Sequence, residues 1–184
     1  MTGALLFWLA VFLVFYAYLG YPLLLALLGK VVHRPVAMSA EAYQPGVTVI
    51  LPVHNEERVI DAKLKNLDAL DYPRNRLEIL IVSDGSTDRT RQRIQEYRGD
   101  LQIRFLELPQ RQGKAAALNL GLRNATSEIL VFSDASIMLE ADALHRIVQP
   151  FQDDMIGCVS GEDHISGGGG EGLYGRYELF LRNL

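Results

Sequence analysis

Apolar positions fall in two regimes along this chain. Residues 4–29 carry no charged side chain, a run longer than the roughly 20 residues that cross a bilayer. From Val47 onward, short apolar runs alternate with segments whose apolar residues recur every three or four positions. The first regime predicts a membrane-spanning helix within residues 1–33, kinked at Pro22, which lacks an N–H and crowds the preceding turn. The second predicts strands at 47–53, 77–83, 102–108, 128–133 and 156–160. Between them it predicts helices at 58–70, from Thr87 or Asp88 through Tyr97, at 113–123 and at 141–151. On the first of these, Val59, Ala62, Leu64, Leu67 and Leu70 form the apolar stripe. On the third, Ala115, Leu118 and Leu122 share a face. Strands alternating with helices of this length predict an α/β domain, Rossmann-like, with a mostly parallel sheet and right-handed crossovers. Residues 34–46, with Pro35 and Pro45 and little periodicity, read as a linker between the anchor and a domain spanning 47–184. Residues 167–170 read as a loop and 173–184 as an amphipathic helix.

Charge refines this picture. The 184 residues carry a formal net charge of -4. No long Lys/Arg stripe offers a nucleic-acid footprint, so no nucleic-acid partner is expected. No Lys or Arg precedes Lys30 and the apolar run is long, which favours a retained anchor over a cleaved signal peptide. Lys30 and Arg34 follow the span, so the positive-inside rule predicts a single-pass cell-membrane protein whose domain faces the cytoplasm. Cys158 is the single cysteine. Within IGCVSG it reads as a buried, inert thiol.

Candidate chemistry gathers where strands end. LEILIVSDGSTD puts Asp84 at the end of one apolar run, and EILVFSDAS puts Asp134 at the end of another. In open α/β sheets the C-terminal strand edge is where ligands bind, so two carboxylates there point to a nucleotide and a metal in one crevice. The competing reading makes each a turn residue, Asp84 before Gly85 and Asp134 before Ala135-Ser136. Glu57 reads as an N-terminal helix carboxylate. His54 and His164 read as loop residues, and Glu162-Asp163 as a strand-to-loop turn. The glycine run at 167–172 spells a dinucleotide fingerprint, but a Gly-rich run matches almost any spacing.

VILPVHNEE, SDGSTD, RQGKAAALNLGL and VFSDAS occur in this order. Together they closely resemble glycosyltransferase family 2, inverting enzymes that use nucleotide-diphospho sugars on a GT-A fold. The resemblance runs from residue 47 to about 184. The GYP within the anchor and the closing EGLYGRYELFLRNL look like the membrane-bound, polysaccharide-synthesising members. The resemblance implies that Pro52 and Val53 floor the nucleotide pocket and that Glu56 reaches the ribose hydroxyls. It implies that Asp84 accepts the imide N–H of uracil and that Lys114 neutralises the diphosphate. Asp134 is the implied ligand of Mg²⁺ or Mn²⁺. Ser136 stands where the family motif usually has a second Asp, and is a weaker, neutral ligand. Asn119 is left between a donor-site role and a bridge from helix to strand. The general base and acceptor site are expected beyond residue 184. The implied activity is transfer from a UDP-sugar to a growing glycan or lipid-linked acceptor with inversion, as in cell-wall and polysaccharide biosynthesis, this chain supplying the donor-binding half. The alternative is a non-catalytic, membrane-tethered nucleotide-sugar-binding module.

Overall fold

The structure, a computed structural model, describes residues 2–32, 43–161 and 177. They belong to two units: the N-terminal helices with Tyr177, and residues 43–161.

In the first unit, α1 (Thr2–Phe15) passes through a π-helical turn (Tyr16–Gly20) into α2 (Tyr21–Val32). Thr2–Val31 form one helix of 30 residues, long and apolar enough to cross a membrane. Every residue of α1 is exposed. The kink expected at Pro22 takes the form of a widened turn just before it, where the Tyr21 N–H reaches back to the Tyr16 carbonyl. Pro22 has no N–H to give the Tyr18 carbonyl four residues earlier. That carbonyl accepts the Tyr177 hydroxyl at 2.8 Å. Tyr177 is helical, but the rest of the helix expected at 173–184, the loop at 167–170, Glu162-Asp163 and His164 lie outside the described residues.

The second unit is built on β1 (Val47–Val53), β2 (Leu77–Asp84), β3 (Ile103–Leu108) and β4 (Ile129–Phe132), with α3 (Ile60–Asp68), α4 (Thr90–Glu96), α5 (Lys114–Asn124) and α6 (Ala143–Val148). The sheet order is β3-β2-β1-β4, and every neighbouring pair is parallel. This is the alternating, parallel architecture the sequence predicts. Strand parity divides the core. Val47, Val49, Leu51, Val53, Ile79 and Ile81 pack with Ile60, Leu64, Leu67 and Leu144 of α3 and α6. Ile50, Leu80 and Val82 pack against Ala117 of α5 on the other face. Also on an even position, the Glu78 carboxylate accepts Thr48 Oγ1 at 2.8 Å, Arg104 at 2.6 Å and Thr126 Oγ1 at 3.2 Å. Burial opposes the charge on Glu78, but these hydrogen bonds and the Arg104 charge outweigh it and hold the carboxyl below its ordinary value.

Several expectations are corrected. Residues 156–160 form no strand, and Cys158 is exposed. An apolar run becomes a strand only with a ladder partner, and no described strand pairs with this one. Without a sheet to cover it the thiol meets solvent. On α5 the buried positions are Ala117 and Gly121, while Leu122 is 49% exposed and Ala115 and Asn119 also face out. The close approach of helix to sheet sets that face: a Cβ on Gly121 would stand 2.6 Å from Ile50 Cγ2. On α3, Ala62 is exposed and Lys63 is buried. The helix expected at 141–151 gives way after Val148 to a 3₁₀ turn, Gln149–Gln152, because Pro150 cannot donate the next helical bond. Residues 43–46, expected within a linker, are tied to the sheet unit. The Gly46 carbonyl accepts Ile129 N–H at 3.1 Å, and the Pro45 carbonyl accepts the Tyr72 hydroxyl at 2.7 Å.

Candidate nucleotide-sugar site

Because the strands are parallel, the C-terminal ends of β1, β2 and β4 open on one edge. Pro52 and Val53 close β1 level with Val82 and Ser83 of β2. Val53 is buried and Pro52 half-buried. Proline is tolerated in this central strand for a local reason. Ile50 turns its carbonyl to β4, accepting Ser133 N–H at 3.2 Å. Pro52, two residues on, faces the same side, but β4 pairs no further than Ile50, so the missing N–H costs no ladder bond.

The turns after β1 and β2 are laced together. Asn55 adopts φ 55°, a left-handed conformation that asparagine tolerates. Its Oδ1 accepts Thr87 N–H at 2.8 Å, and its own N–H donates to Ser86 Oγ at 3.2 Å. Glu56 N–H donates to Thr90 Oγ1 at 2.8 Å; Glu56 is half-buried. Glu57 N–H donates to Asp88 Oδ2 at 3.1 Å, and Glu57 Oε2 accepts Arg89 N–H at 3.1 Å. Glu57 therefore serves the start of α4, not the helix that follows it in sequence. Asp88 caps α4 as expected, accepting Thr90 N–H at 2.9 Å, while Thr87 is engaged with Asn55. His54 is more than a loop residue: its Nδ1 lies 2.7 Å from the Asp84 carbonyl oxygen.

Asp84 is 4% exposed. Its Oδ1 accepts Gln112 N–H at 2.6 Å and its Oδ2 accepts Gly113 N–H at 2.8 Å. The carboxylate thus grips the backbone that leads into α5. Gly85 permits this approach: φ is +61°, and a Cβ there would lie 2.6 Å from Arg111 N. The strand end thereby positions Lys114, the first residue of α5. Lys114 Nζ donates to Asp134 Oδ1 at 2.6 Å. The pair is open to solvent, with 60% of the lysine and 44% of the aspartate side chain exposed. Asp84, Lys114 and Asp134 are therefore brought together, linked through the backbone at 112–113.

Ser136 is exposed two residues beyond Asp134. Among the described residues no three His, Cys, Asp or Glu side chains cluster to hold a metal. Mg²⁺ or Mn²⁺ that shares its coordination with a diphosphate and water needs only one or two protein carboxylates, so Asp134 with Ser136 fits that donor chemistry. A cleft of about 740 Å³ opens at the ends of β1, β2 and β3, lined by His54, Asn55, Ser86, Leu108, Gln110 and Arg111 among others, and neither Asp134 nor Ser136 lines it.

Sequence reasoning missed Lys63. It is fully buried, and its Nζ donates to Ser133 Oγ at 2.8 Å and to the Ile137 carbonyl at 2.5 Å. Burial pushes its pKa down to about 8, against the nearby Asp134 charge, which favours the ammonium. The signal was spacing: position 63 lies three after Ile60 and four before Leu67, inside the buried stripe. Asn55 was missed as well, and the available signal was that asparagine tolerates a left-handed turn.

The sequence model of glycosyl transferase family 2 matches residues 48–180. A poly-β-1,6-N-acetyl-D-glucosamine synthase of Staphylococcus aureus (strain COL) is 33% identical over 121 residues, 65% of this chain and 29% of its own length. The chain thus spans just under a third of the length of that relative. Among solved structures, the mannosyltransferase PcManGT from Pyrobaculum calidifontis, in complex with GDP-Man and Mn²⁺, matches with a TM-score of 0.68 at 38% identity, covering 77% of this chain and 43% of that one. S. aureus TarS 1-349, in complex with UDP-GlcNAc, matches with a TM-score of 0.50 at 30% identity, covering 54% of this chain and 29% of that one. These likenesses bear out the expected fold class, an α/β domain with a parallel sheet of the GT-A type.

Proposed function

The chain belongs to glycosyl transferase family 2, and from that premise we propose that it supplies the donor-binding half of a membrane-bound enzyme. This enzyme transfers a sugar from a nucleotide-diphospho sugar, specifically a UDP-sugar, to a growing glycan or lipid-linked acceptor with inversion. The observation that carries the reading is the connected set Asp84, Gln112–Gly113, Lys114 and Asp134 at one sheet edge. The relatives support it: one is named a polysaccharide synthase, and two solved neighbours hold nucleotide sugars, one with Mn²⁺.

In this reading Pro52 and Val53 floor the nucleotide pocket and Glu56 meets the ribose hydroxyls. Asp84 has a free lone pair on each oxygen beyond the two backbone bonds it already accepts, and these receive the N–H of the base. An acceptor-only group selects a base edge that presents N–H. Asp134, with Ser136 as a weaker partner, would hold Mg²⁺ or Mn²⁺, and the ion would supply charge stabilisation for a diphosphate leaving group. Lys114 leaves Asp134 and turns its ammonium to the phosphates at the start of α5. The helix of 30 residues anchors the chain in the cell membrane with the sheet unit in the cytoplasm, consistent with Lys30 at its end.

Calorimetric titration of UDP into the detergent-solubilised chain tests the donor site. Binding that tightens with Mn²⁺ is expected. Absence of binding with or without the ion overturns the reading, and tighter binding of GDP than UDP overturns the donor class alone. Topology is tested through Cys158, exposed and the single cysteine. A membrane-impermeant maleimide should label it in inside-out vesicles and not in intact cells; the reverse result places the sheet unit outside.

A further inference from the structure

We propose that Lys63 is a positioning residue: from inside the core it holds the 133–137 loop in the shape that presents Asp134 to a divalent cation. The inference rests on the reading of Asp134 as a metal ligand given above. Lys63 is 0% exposed, on the face of α3 that also buries Ile60, Leu64 and Leu67. An ammonium withdrawn from water is tolerated only where polar groups replace its hydration. Here both replacements come from one loop. Ser133 Oγ accepts at 2.8 Å and the Ile137 carbonyl at 2.5 Å, one immediately before Asp134-Ala135-Ser136 and one immediately after.

A single buried group therefore closes both ends of the segment that carries the ligand set. The loop is turned tightly inside this grip, with Ile137 N–H donating to the Asp134 carbonyl at 3.2 Å. Ala135 plugs into the core at 3% exposure, while Asp134 and Ser136 on either side reach solvent. One turn further along α3, Asn66 extends the hold: its Nδ2 donates to the Leu139 carbonyl at 2.8 Å and its Oδ1 accepts Leu139 N–H at 2.9 Å. None of these bonds engages the Asp134 carboxylate, which is paired with Lys114. Lys63 fixes the main chain, and Lys114 governs the side chain. Groups that orient a metal ligand from behind are as much a part of a metal site's affinity as the ligand itself.

The test measures Mn²⁺ affinity by electron paramagnetic resonance on the full chain in detergent, with UDP present, beside UDP affinity in EDTA. Lys63→Met keeps the volume and removes the charge and donors. It should weaken Mn²⁺ binding by about tenfold or more, leaving UDP affinity in EDTA unchanged. Ser133→Ala keeps the lysine and removes one acceptor, and should shift Mn²⁺ affinity in the same direction by less. A merely structural role would lower stability and both affinities together, and that result overturns the proposal. So does a Lys63→Met protein with wild-type Mn²⁺ affinity. If Lys63→Met fails to fold, Ser133→Ala decides: unchanged Mn²⁺ affinity overturns the proposal. Wild-type protein that binds UDP but no Mn²⁺ removes the metal reading of Asp134 and the proposal with it.

Discussion

Two aspartates stand at the ends of two parallel strands, and their surroundings could hardly differ more. Asp84 is buried, with each carboxylate oxygen already accepting a backbone N–H. Asp134 is open, and the partner of its carboxylate in an ion pair, Lys114, is a flexible and exposed side chain. Bonds between a buried carboxylate and fixed backbone are costly to leave unmade. An exposed ion pair is worth little and exchanges readily. The comparison teaches that one strand end builds the site and the other reacts to what enters it. Asp84 fixes where α5 begins, and so where Lys114 and Asp134 meet.

Substitutions can break that contrast. Asp134→Ala should have the largest effect on ligand binding, removing the Mn²⁺-dependent gain in UDP affinity, on the order of 100-fold, while the unfolding temperature stays near that of the wild type. Calorimetry with and without Mn²⁺ reads this; surviving metal dependence would place the ligand elsewhere. Asp84→Asn sets an amide N–H₂ against one backbone N–H. It should cost about 1–3 kcal/mol of stability and weaken UDP binding whether or not Mn²⁺ is present. Thermal unfolding and the same titrations measure it, and unchanged affinity would sink the assigned role. Ser136→Asp sharpens the contrast from the other side, tightening Mn²⁺ several-fold by adding a carboxylate to the ligand set. No change would mean that position 136 points away from the ion.

A third carboxylate on the same sheet is the control with the smallest effect. Glu78 is held below its ordinary carboxyl value by Arg104, Thr48 and Thr126 against the cost of burial. Its folded pKa lies below its unfolded one, so its contribution is fully present above the unfolded value and is lost as pH falls through the folded one. Acid unfolding below about pH 4.5 should lose part of its pH dependence in Glu78→Gln. The nucleotide titrations at neutral pH should not move.

The strands were legible because buried parallel strands leave aliphatic runs, and 47–53, 77–83 and 128–133 fall on β1, β2 and β4 within a residue or two. The positions of Asp84 and Asp134 followed from where those runs stop, while Lys114 came from the family resemblance of RQGKAAALNLGL. What escaped was decided by packing across the chain. Lys63 reads as solvated because lysine usually is; only the loop at 133–137 makes its burial tolerable. The buried face of α5 is chosen by Gly121 and Ala117, residues with too little hydrophobic signal to announce themselves. The strand expected at 156–160 depended on a partner that local sequence does not specify. Glu57 has the composition of a cap, but which helix it caps is a matter of tertiary neighbours.

The 2.6 Å contact between Lys114 and Asp134 has a consequence for ionic strength. Before any ligand arrives, the two charges cancel. A divalent ion entering with a nucleotide-sugar diphosphate brings charges that cancel as well, so the loaded site is as neutral as the empty one. Nothing is gained or lost in net charge, and the long-range field that salt would screen is small in both states. Raising sodium chloride should therefore leave the affinity for a preformed, neutral Mn²⁺–UDP-sugar complex nearly flat, while assembly from the separate ion and nucleotide weakens as salt screens their own attraction.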